Sequence, residues 1–165
     1  MTAIDPTTFK DMMSAVAQTV TVVTTNHGDE PIGLTVSAFV SVSASPPIVL
    51  VCIDKAVSSL DAFEDAAGYT VNFLPDDAAD VAMVFATHGL DRFALVATHP
   101  APGGVGGPVL DIAYGHFECR LVHRLEMGDH WVFFGEVIGG GRDDEDIDPL
   151  VWLKRSFRSV EGPSA

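Results

Sequence analysis

The pattern of apolar and polar positions predicts a chain made mostly of β-strands. β-branched residues dominate positions 19–25 and, after a polar turn cluster at 26–29, positions 32–45, which predicts two long strands joined as a hairpin. Further apolar runs indicate more strands after these two. We expect them at residues 48–53, 69–74, 109–125 with a bend near Gly115, 131–138 and 150–160.

Three short helices are predicted around these strands. Asp5 and Pro6 supply a cap and a first helical position, ahead of apolar residues at helical spacing as far as residue 17. Ser58 and Ser59 precede the second helix, which we expect to end near Gly68. The third helix is expected to follow the Pro-Asp-Asp sequence at 75–77 and to end at 88–89.

The order of these elements indicates a single domain over residues 1–165 and a mainly β fold. Consecutive strands with few helices between them predict a closed antiparallel barrel of six or seven strands with three short helices. Residues 99–108 are rich in glycine and proline and predict a mobile loop, because nothing in them can form a core. An acidic hairpin tip is expected at 139–146. The chain has neither a Rossmann fingerprint nor a P-loop motif.

Charge and composition exclude several classes of partner. The chain carries 9 Lys and Arg against 23 Asp and Glu, a formal net charge of −14, which opposes binding to nucleic acid or to an anionic membrane. The two cysteines, Cys52 and Cys119, have no spacing typical of a disulfide framework or a zinc site, and the histidines do not cluster, so no metal is expected. Without a signal peptide or a membrane-spanning apolar run, we expect a cytoplasmic protein.

The segment 35–45 is the most unusual part of the chain. If it forms one strand, alternation places its hydroxyl residues on one face and its apolar residues on the other. The hydroxyl residues are Thr35, Ser37, Ser41, Ser43 and Ser45. Such a face can simply contact solvent, or its short uncharged hydroxyls can contact a polar ligand such as a ribityl chain or a phosphate. The residues leave both interpretations open.

Three other positions carry candidate chemistry, each with a simpler alternative. Ser58 and Ser59, at a helix start, can bind a phosphate or can only cap the helix. Arg92 can pair with the preceding Asp91 or with a ligand phosphate. His130, in a Gly-Asp-His turn, can carry a proton, orient a ligand through a hydrogen bond or serve only as a turn residue.

Several blocks of sequence together resemble one family. The blocks are Gly-Leu-Thr-Val-Ser-Ala-Phe-Val-Ser-Val-Ser at 33–43, Pro-Pro-Ile-Val-Leu-Val-Cys at 46–52, Tyr-Thr-Val-Asn-Phe-Leu at 69–74, Phe-Ala at 85–86 with Asp-Arg-Phe at 91–93, Phe-Glu-Cys at 117–119, Gly-Asp-His at 128–130 with Gly-Glu-Val at 135–137, and Pro-Leu-Val at 149–151. In this order they resemble the short-chain flavin reductases, which are the reductase components of two-component flavin-dependent monooxygenases.

The resemblance implies a fold and an activity. The fold is an FMN-binding split β-barrel, a Greek-key-like antiparallel barrel that forms a homodimer. The activity is reduction of FMN or FAD by hydride transfer from NADH, with NADPH as the alternative donor, followed by diffusion of the reduced flavin to a partner monooxygenase. A flavin-binding electron carrier or sensor that retains its flavin without NADH turnover is the alternative function, and a barrel without a ligand is a third.

The resemblance also implies the site. No side chain is a catalytic nucleophile, and His130 positions the nicotinamide. The cofactor-binding residues that it implies are Gly33, Leu34, Thr35, Val36, Ser37, Ala38, Ser41, Val42, Ser43, Cys52, Ile53, Asp54, Ser58, Ser59, Phe85, Arg92, Phe93 and His130. The chain departs from the family pattern at Ala38, where a polar residue is usual, and near its end, where Trp152 and Phe157 replace the usual tyrosines.

Overall fold

The computed structural model describes residues 3–143 and 146–160, and these form a mainly β fold with short helices. The described helices are α1 (Pro6–Ser14), α2 (Leu60–Asp65), α3 (Ala79–Ala86) and α4 (Arg92–Leu95). The described strands are β1 (Gln18–Thr19), β2 (Thr21–His27), β3 (Glu30–Val36), β4 (Phe39–Ala44), β5 (Pro47–Asp54), β6 (Gly68–Phe73), β7 (Thr98–His99), β8 (Val109–Leu110), β9 (Gly115–Met127), β10 (His130–Arg142), β11 (Val151–Leu153) and β12 (Ser156–Arg158).

Seven strands form one antiparallel sheet, in the order β3-β2-β6-β9-β10-β5-β4. Its edge strands, β3 and β4, are consecutive in the chain but have no ladder between them in the described residues. They are joined through Ser37 and Ala38, and the backbone N–H of Cys52 on β5 donates to the carbonyl oxygen of Ala38 at 3.0 Å. The barrel is therefore split along a line between β3 and the paired strands β4 and β5, which we call the seam, and this split replaces the closed barrel expected from strand order.

The prediction of one continuous strand over 32–45 is also wrong. The chain leaves the β2–β3 ladder after Val36 and enters a different ladder at Phe39, so alternation does not run through the segment. A bulge between Ser41 and Ser43 shifts the alternation again: Ser41 pairs with Val49, which is buried in the barrel, whereas Ser43 pairs with Ile48 on the other face. The predicted single hydroxyl face does not form.

The sheet has a core on each side along β2 and β3. Val23, Leu34 and Val36 point into the barrel, whereas Val22 points outward to a second core beneath α3. This outer core also contains Leu74, Ala78, Val81, Phe85 and Leu150. Because successive residues of a strand point to opposite faces, Gly33 and Thr35 lie on the same outer side as α3. This alternation brings hydroxyl-bearing and small residues of β3 against α3 and α4.

The helices differ in number and in capping from the predictions. The described residues contain four helices rather than three, because Arg92 lies in a short helix of its own. Asp5 caps α1 as predicted, accepting from the backbone N–H groups of Thr7 and Thr8, but no residue of this helix is buried. α3 begins at Ala79 without a side-chain cap. Gly68, the expected helix stop, is the first residue of β6.

In the C-terminal part of the chain, the observed strands differ from the predicted ones. The run 109–125 contains two strands, of which β8 pairs with β7 and β9 joins the main sheet. The run 150–160 is a hairpin that turns at Lys154 and Arg155, both with positive φ, and it pairs with β1. β10 continues to Arg142, and residues 144 and 145 of the predicted acidic tip lie outside the described residues.

The predicted mobile loop at 99–108 is held by the rest of the fold. A Cβ atom at Gly107 would lie 2.3 Å from the backbone nitrogen of Thr25, so only glycine permits this close approach. The carboxylate of Glu118, which is fully buried, accepts hydrogen bonds from the backbone N–H groups of Gly103, Val105 and Gly106. Polar anchoring replaces the apolar core contacts that the loop lacks.

Among the described helices, none combines the length and the apolar character needed to cross a membrane.

Candidate active site at the seam

A cavity of about 170 Å³ lies at the seam, and we call it the seam cavity. β3, the segment after β5 and the helices α3 and α4 contribute its walls. The residues that line it are Leu34, Thr35, Val57, Ser58, Ser59, Phe85, Ala86, His88 and Arg92. Six of them are among the site residues implied by the sequence resemblance. The fold therefore brings these distant parts of the chain together around one space.

The hydroxyl groups of the seam cavity have different partners. The Thr35 hydroxyl donates to the carbonyl oxygen of Ala82 at 2.5 Å, which ties β3 to α3. Ser59 is the N-cap residue of α2, yet its side chain makes no capping hydrogen bond. The interpretation of Ser59 as a plain helix cap is therefore not what the structure shows. Its hydroxyl is not used by the helix, and it lines the cavity together with that of Ser58.

Arg92 does not pair with Asp91, one of the two partners considered from the sequence. Its guanidinium donates to the carbonyl oxygens of Gly33 at 2.8 Å and of Thr87 at 2.9 Å, and so links α4 to β3 and to the end of α3. Asp91 instead accepts from the backbone N–H of Ala94. Burial lowers the pKa of Arg92, but an arginine remains protonated in proteins. Arg92 is thus a fixed positive charge in the cavity wall whose Nε, buried, has no partner among the described residues.

Gly33 is needed for the contact between β3 and the helices. The rings of Phe85 and Phe93 pack edge to face with their centroids 5.4 Å apart. A Cβ atom at Gly33 would lie 2.7 Å from Phe85 Cε1 and 3.2 Å from Phe93 Cζ. Any larger residue at this position would push α3 and α4 away from β3. Phe93 lies behind the cavity wall and is not one of its lining residues.

His130 lies at the start of β10, beside the strand that leads to the seam cavity. It is paired across the sheet with Asp54, the last residue of β5. The Val57 backbone N–H donates to the Asp54 carbonyl at 3.2 Å, so one tight turn connects this pair to the cavity wall. His130 is 40% exposed in its side chain, with Nδ1 2.7 Å from an oxygen of Asp129. Hydrogen bonding to His130 is the main cause that lowers the pKa of Asp129.

The hydrogen bond to Asp129 orients the His130 ring. An ionised carboxylate only accepts, so Nδ1 carries the proton of this hydrogen bond and Nε2 is left for a ligand. Lys55 completes the turn: its ammonium group lies 2.5 Å from a carboxylate oxygen of Glu126 and 2.6 Å from the carbonyl oxygen of Gly128. This geometry would allow Nε2 of His130 to orient a ligand through a hydrogen bond, and the role of His130 stays a prediction.

Several predicted site residues lie at the seam but outside the cavity. Ala38 and Cys52 are joined by a backbone hydrogen bond that continues the β4–β5 ladder beyond Phe39 and Val51. Burial raises the pKa of the Cys52 thiol, so this side chain is a poor nucleophile at neutral pH. Ser37 lines an adjoining space that is described below.

Other predicted site residues are not brought to the cavity in a single chain. Val36 and Ile53 are buried in the barrel core. Ser41, Val42 and Ser43 belong to the edge strand β4. Ser43 pairs with Ile48, near the opposite end of β5 from Asp54, and at ~3.3 Å per residue this separation is roughly 20 Å.

Sequence reasoning missed a second space beside the seam cavity. It has a volume of about 210 Å³, and we call it the apolar chamber. Its lining residues are Val20, Thr35, Ser37, Met83, Ala86, Trp152 and Phe157. The chamber joins residues from β3, α3 and the C-terminal hairpin, so no local motif could have revealed it. His88, also missed in the seam cavity, was interpreted only as the end of a helix.

Comparison with known proteins gives the class to which this fold and site belong. The family model described as flavin reductase like domain matches residues 13–161. The chain therefore belongs to the flavin reductase like domain family, and the resemblance derived from the sequence blocks is confirmed.

In the part of the chain that the structure describes, no group of three or more His, Cys, Asp or Glu is arranged to hold a metal ion.

Two relatives with named activities support this membership. The chain is 39% identical over 156 residues to the flavin reductase (NADH) of Kitasatospora aureofaciens, covering 93% of this chain and 81% of that protein. It is 38% identical to the reductase component of a Rhodococcus opacus 4-nitrophenol 4-monooxygenase/4-nitrocatechol 2-monooxygenase, covering 82% of this chain and 71% of that one.

A solved structure has the same fold over the whole chain. The NADH:FAD oxidoreductase SgcE6 of Streptomyces globisporus C-1027, determined in complex with NAD and FAD fragments, matches with a TM-score of 0.89 at 31% identity. The match covers 100% of this chain and 99% of that one. The mainly β split barrel expected from the sequence is confirmed.

Proposed function

We propose that this protein is an NAD(P)H:flavin oxidoreductase that reduces FMN or FAD with NADH, or with NADPH as the alternative donor, and supplies the reduced flavin to a partner monooxygenase. The observation that carries the proposal is the seam cavity, which brings together six of the residues that the sequence resemblance implies as cofactor-binding. The named activities of the relatives support the same reaction. With free cysteines and a nicotinamide substrate, we propose a cytoplasmic location.

The residues of the seam cavity fit the phosphate end of a flavin. Ser58 and Ser59 offer hydroxyl donors, and Arg92 contributes a permanent positive charge from the wall. Thr35 retains the lone pairs of its oxygen for a ribityl hydroxyl, since its hydrogen is donated to Ala82. When bound, the flavin supplies the ring that accepts a hydride from the nicotinamide.

The protein contributes orientation rather than covalent chemistry. His130, held by Asp129, presents Nε2 at the end of the seam and would hydrogen-bond the nicotinamide amide. The turn at 128–130 is braced by Lys55, so the imidazole is positioned before the substrate arrives. The backbone of 52–54 would lie beside the flavin ring, between His130 and the seam cavity.

Release of the flavin follows from the charge of the protein. The net charge of −14 repels the flavin phosphate at long range, while Arg92 is the one permanently charged residue among those that line the seam cavity. Weak retention suits an enzyme that passes its reduced flavin to another protein. A carrier that retains its flavin would need more positive charge near the phosphate.

The first test is an assay of the purified protein with NADH and either FMN or FAD. We expect oxidation of NADH that requires added flavin and multiple turnovers of flavin per protein chain. Yellow colour that survives desalting together with no NADH turnover would identify a flavin carrier instead. No response to flavin in either binding or turnover would contradict flavin chemistry altogether.

A second test concerns the role of His130. We expect His130→Ala to raise the apparent KM for NADH by about three- to tenfold, the value of one hydrogen bond, with the Kd for FMN changed less than about twofold. His27→Ala, at an exposed position at the end of β2, is the matched control and should leave both constants unchanged. An equal loss of NADH and flavin affinity in His130→Ala would mean that this histidine is structural.

We also propose that the protein acts as a homodimer. Cross-strand pairs place Val40, Leu50 and Phe134 in one row and Cys52 and Val132 in the next, on the outer face of β4, β5 and β10. Paired residues of neighbouring strands share a face, and the row between them, which contains Val51 and Phe133, points into the core. An outer sheet face with so many apolar residues favours a partner surface of the same kind.

A further inference from the structure

We propose that the apolar chamber binds the adenine of FAD and so makes FAD, rather than FMN, the preferred flavin. This inference rests on the proposed function, because it assumes that a flavin phosphate binds in the seam cavity. It adds a binding subsite and a choice of flavin, neither of which follows from membership of the family.

The walls of the chamber are suited to a flat, uncharged aromatic ring. Trp152 on β11 and Phe157 on β12 are paired across the C-terminal hairpin, with ring centroids 4.9 Å apart and ring planes at 69°. Met83 on α3, half exposed, faces the same space with a polarisable thioether that makes favourable contacts with aromatic rings. No lining residue carries a formal charge.

The chamber also has a polar group at one side. Ser37, where the chain crosses from β3 to β4, lines it, and its hydroxyl makes no hydrogen bond to another described residue. A ring that fills the chamber would therefore find one hydroxyl donor and acceptor among apolar contacts. A purine base, with ring nitrogens and an exocyclic amine at its edge, matches this combination better than a purely apolar ligand.

The position of the chamber matches the order of the parts of FAD. Thr35 and Ala86 line both the chamber and the seam cavity, so the two spaces adjoin along β3 and α3. On its other side, the seam cavity reaches Val57, one tight turn from Asp54 and His130. In the proposed binding mode, the region of Asp54 and His130 would bind the flavin ring, the seam cavity would bind phosphate, and the apolar chamber lies beyond the seam cavity. FAD has the same order: isoalloxazine, diphosphate and adenine.

FMN would leave the chamber empty, whereas FAD would fill it. Stacking of a base on an aromatic side chain is worth roughly 1–3 kcal/mol by alanine substitution, so the chamber can raise affinity without adding positive charge. This matters in a protein with a net charge of −14, where the second phosphate of FAD adds to long-range repulsion. The neutral adenosine end offsets that repulsion by contact rather than by charge.

The test measures the Kd values for FAD and FMN, by quenching of flavin fluorescence, in wild type and variants. We expect wild type to bind FAD more tightly than FMN by about tenfold. Trp152→Ala and Phe157→Ala should each weaken FAD binding by about three- to tenfold and leave the Kd for FMN within about twofold. Val160→Ala, at an exposed position in the same segment, is the matched control.

A variant on a different element covers the case in which the hairpin variants do not fold. Met83→Asp, at a half-exposed position of α3, places a charge in the chamber and should weaken FAD binding but not FMN binding. Adenosine 5′-monophosphate supplies a probe without variants: it should compete with FAD and should not compete with riboflavin.

The outcomes separate this inference from the proposed function. Equal Kd values for FAD and FMN in wild type, with NADH turnover intact, would overturn the adenine subsite and leave the flavin reductase in place. A rise in the KM for NADH with unchanged FAD binding in Trp152→Ala would also overturn it, because the chamber would then bind the adenine of the nicotinamide nucleotide. Failure to bind either flavin would instead contradict the proposed function.

Discussion

Two charged side chains, those of Arg92 and Glu118, have roles in this protein that their residue type alone does not predict. From the sequence Arg92 could pair with Asp91 or with a ligand phosphate, and in the structure its hydrogen bonds are made to the carbonyl oxygens of Gly33 and Thr87. It assembles the cavity wall and adds charge to it. Glu118, part of a sequence block of the family, is fully buried and holds the glycine-rich loop through three backbone N–H groups. Each role depends on partners that are distant in sequence.

A prediction at the residue scale follows for Glu118. Replacing one carboxylate oxygen with an amide NH₂, as in Glu118→Gln, leaves at least one backbone N–H donor of the loop without an acceptor. We expect the free energy of unfolding to fall by about 1–3 kcal/mol, measured by urea denaturation at neutral pH. Glu30→Gln, at an exposed position, is the control and should change stability by less than ~0.5 kcal/mol. Equal stability of Glu118→Gln and wild type would contradict the anchoring role.

The pH dependence of the free energy of unfolding, compared between wild type and Glu118→Gln, provides a second test of this role. Burial acts to raise the pKa of Glu118, but the hydrogen bonds from Gly106, Val105 and Gly103 together outweigh it and hold that pKa below its ordinary value. Since the pKa is lower in the folded than in the unfolded chain, ionised Glu118 stabilises the fold above its unfolded value of about 4.3. This contribution is lost as the pH falls through the folded value, and Glu118→Gln should lack that part of the acid destabilisation.

At the scale of elements, the outer face of β4, β5 and β10 carries the proposed homodimer interface. Around Leu50 its residues alternate with core residues, so the same strands that build the barrel also present Val40, Leu50 and Phe134 outward. Val40 is 53% exposed and lies on an edge strand, which also offers unpaired backbone groups to a partner. Ser41 and Ser43, far from the seam cavity in one chain, lie on this edge.

We expect the wild-type protein to have twice the mass of one chain in solution, measured by light scattering after size-exclusion chromatography. Val40→Asp places a charge on the edge strand of the apolar face and should shift the protein to a monomer at micromolar concentration. Val160→Asp, at a comparably exposed valine in the C-terminal segment, should remain a dimer. A monomeric wild type, or a dimeric Val40→Asp, would contradict the proposed interface.

At the scale of the whole molecule, the acidic surface and the anionic ligand act against each other. In the proposed binding mode, recognition of a flavin phosphate would depend on short-range hydroxyl groups and one fixed cation, whereas the net charge of −14 acts at longer range. Salt shortens the range of the repulsion, since the screening length falls from about 30 Å at 0.01 M to about 10 Å at 0.1 M. The short-range contacts are affected much less.

We therefore expect the affinity for oxidised FMN to increase by about two- to threefold when ionic strength rises over this range. The measurement is a fluorescence titration at constant pH. Riboflavin, which lacks the phosphate, is the matched control and should bind equally at both ionic strengths. An affinity for FMN that decreases with salt would show that local cations dominate over the overall charge.

Much of the fold and part of the site could be predicted from the sequence. The hairpin of β2 and β3, the buried strand β5, and the Asp5 cap of α1 depend on neighbouring residues, so local patterns reveal them. The prediction of a single strand over 32–45 was wrong. The alternation of polar and apolar residues does not show that the chain changes ladders at Ser37 and Ala38 or that a bulge follows Ser41.

The sequence by itself determined the class of fold, the family and the kinds of group available to a flavin, since strand propensity, turn residues and the order of motifs are properties of the linear chain. Only the tertiary structure decided which of these groups meet. The split between β3 and the paired strands β4 and β5, the carbonyl partners of Arg92 and the chamber between α3 and the C-terminal hairpin all arise from packing between distant segments. Such contacts are set by the free energy of the whole fold, which no local pattern contains.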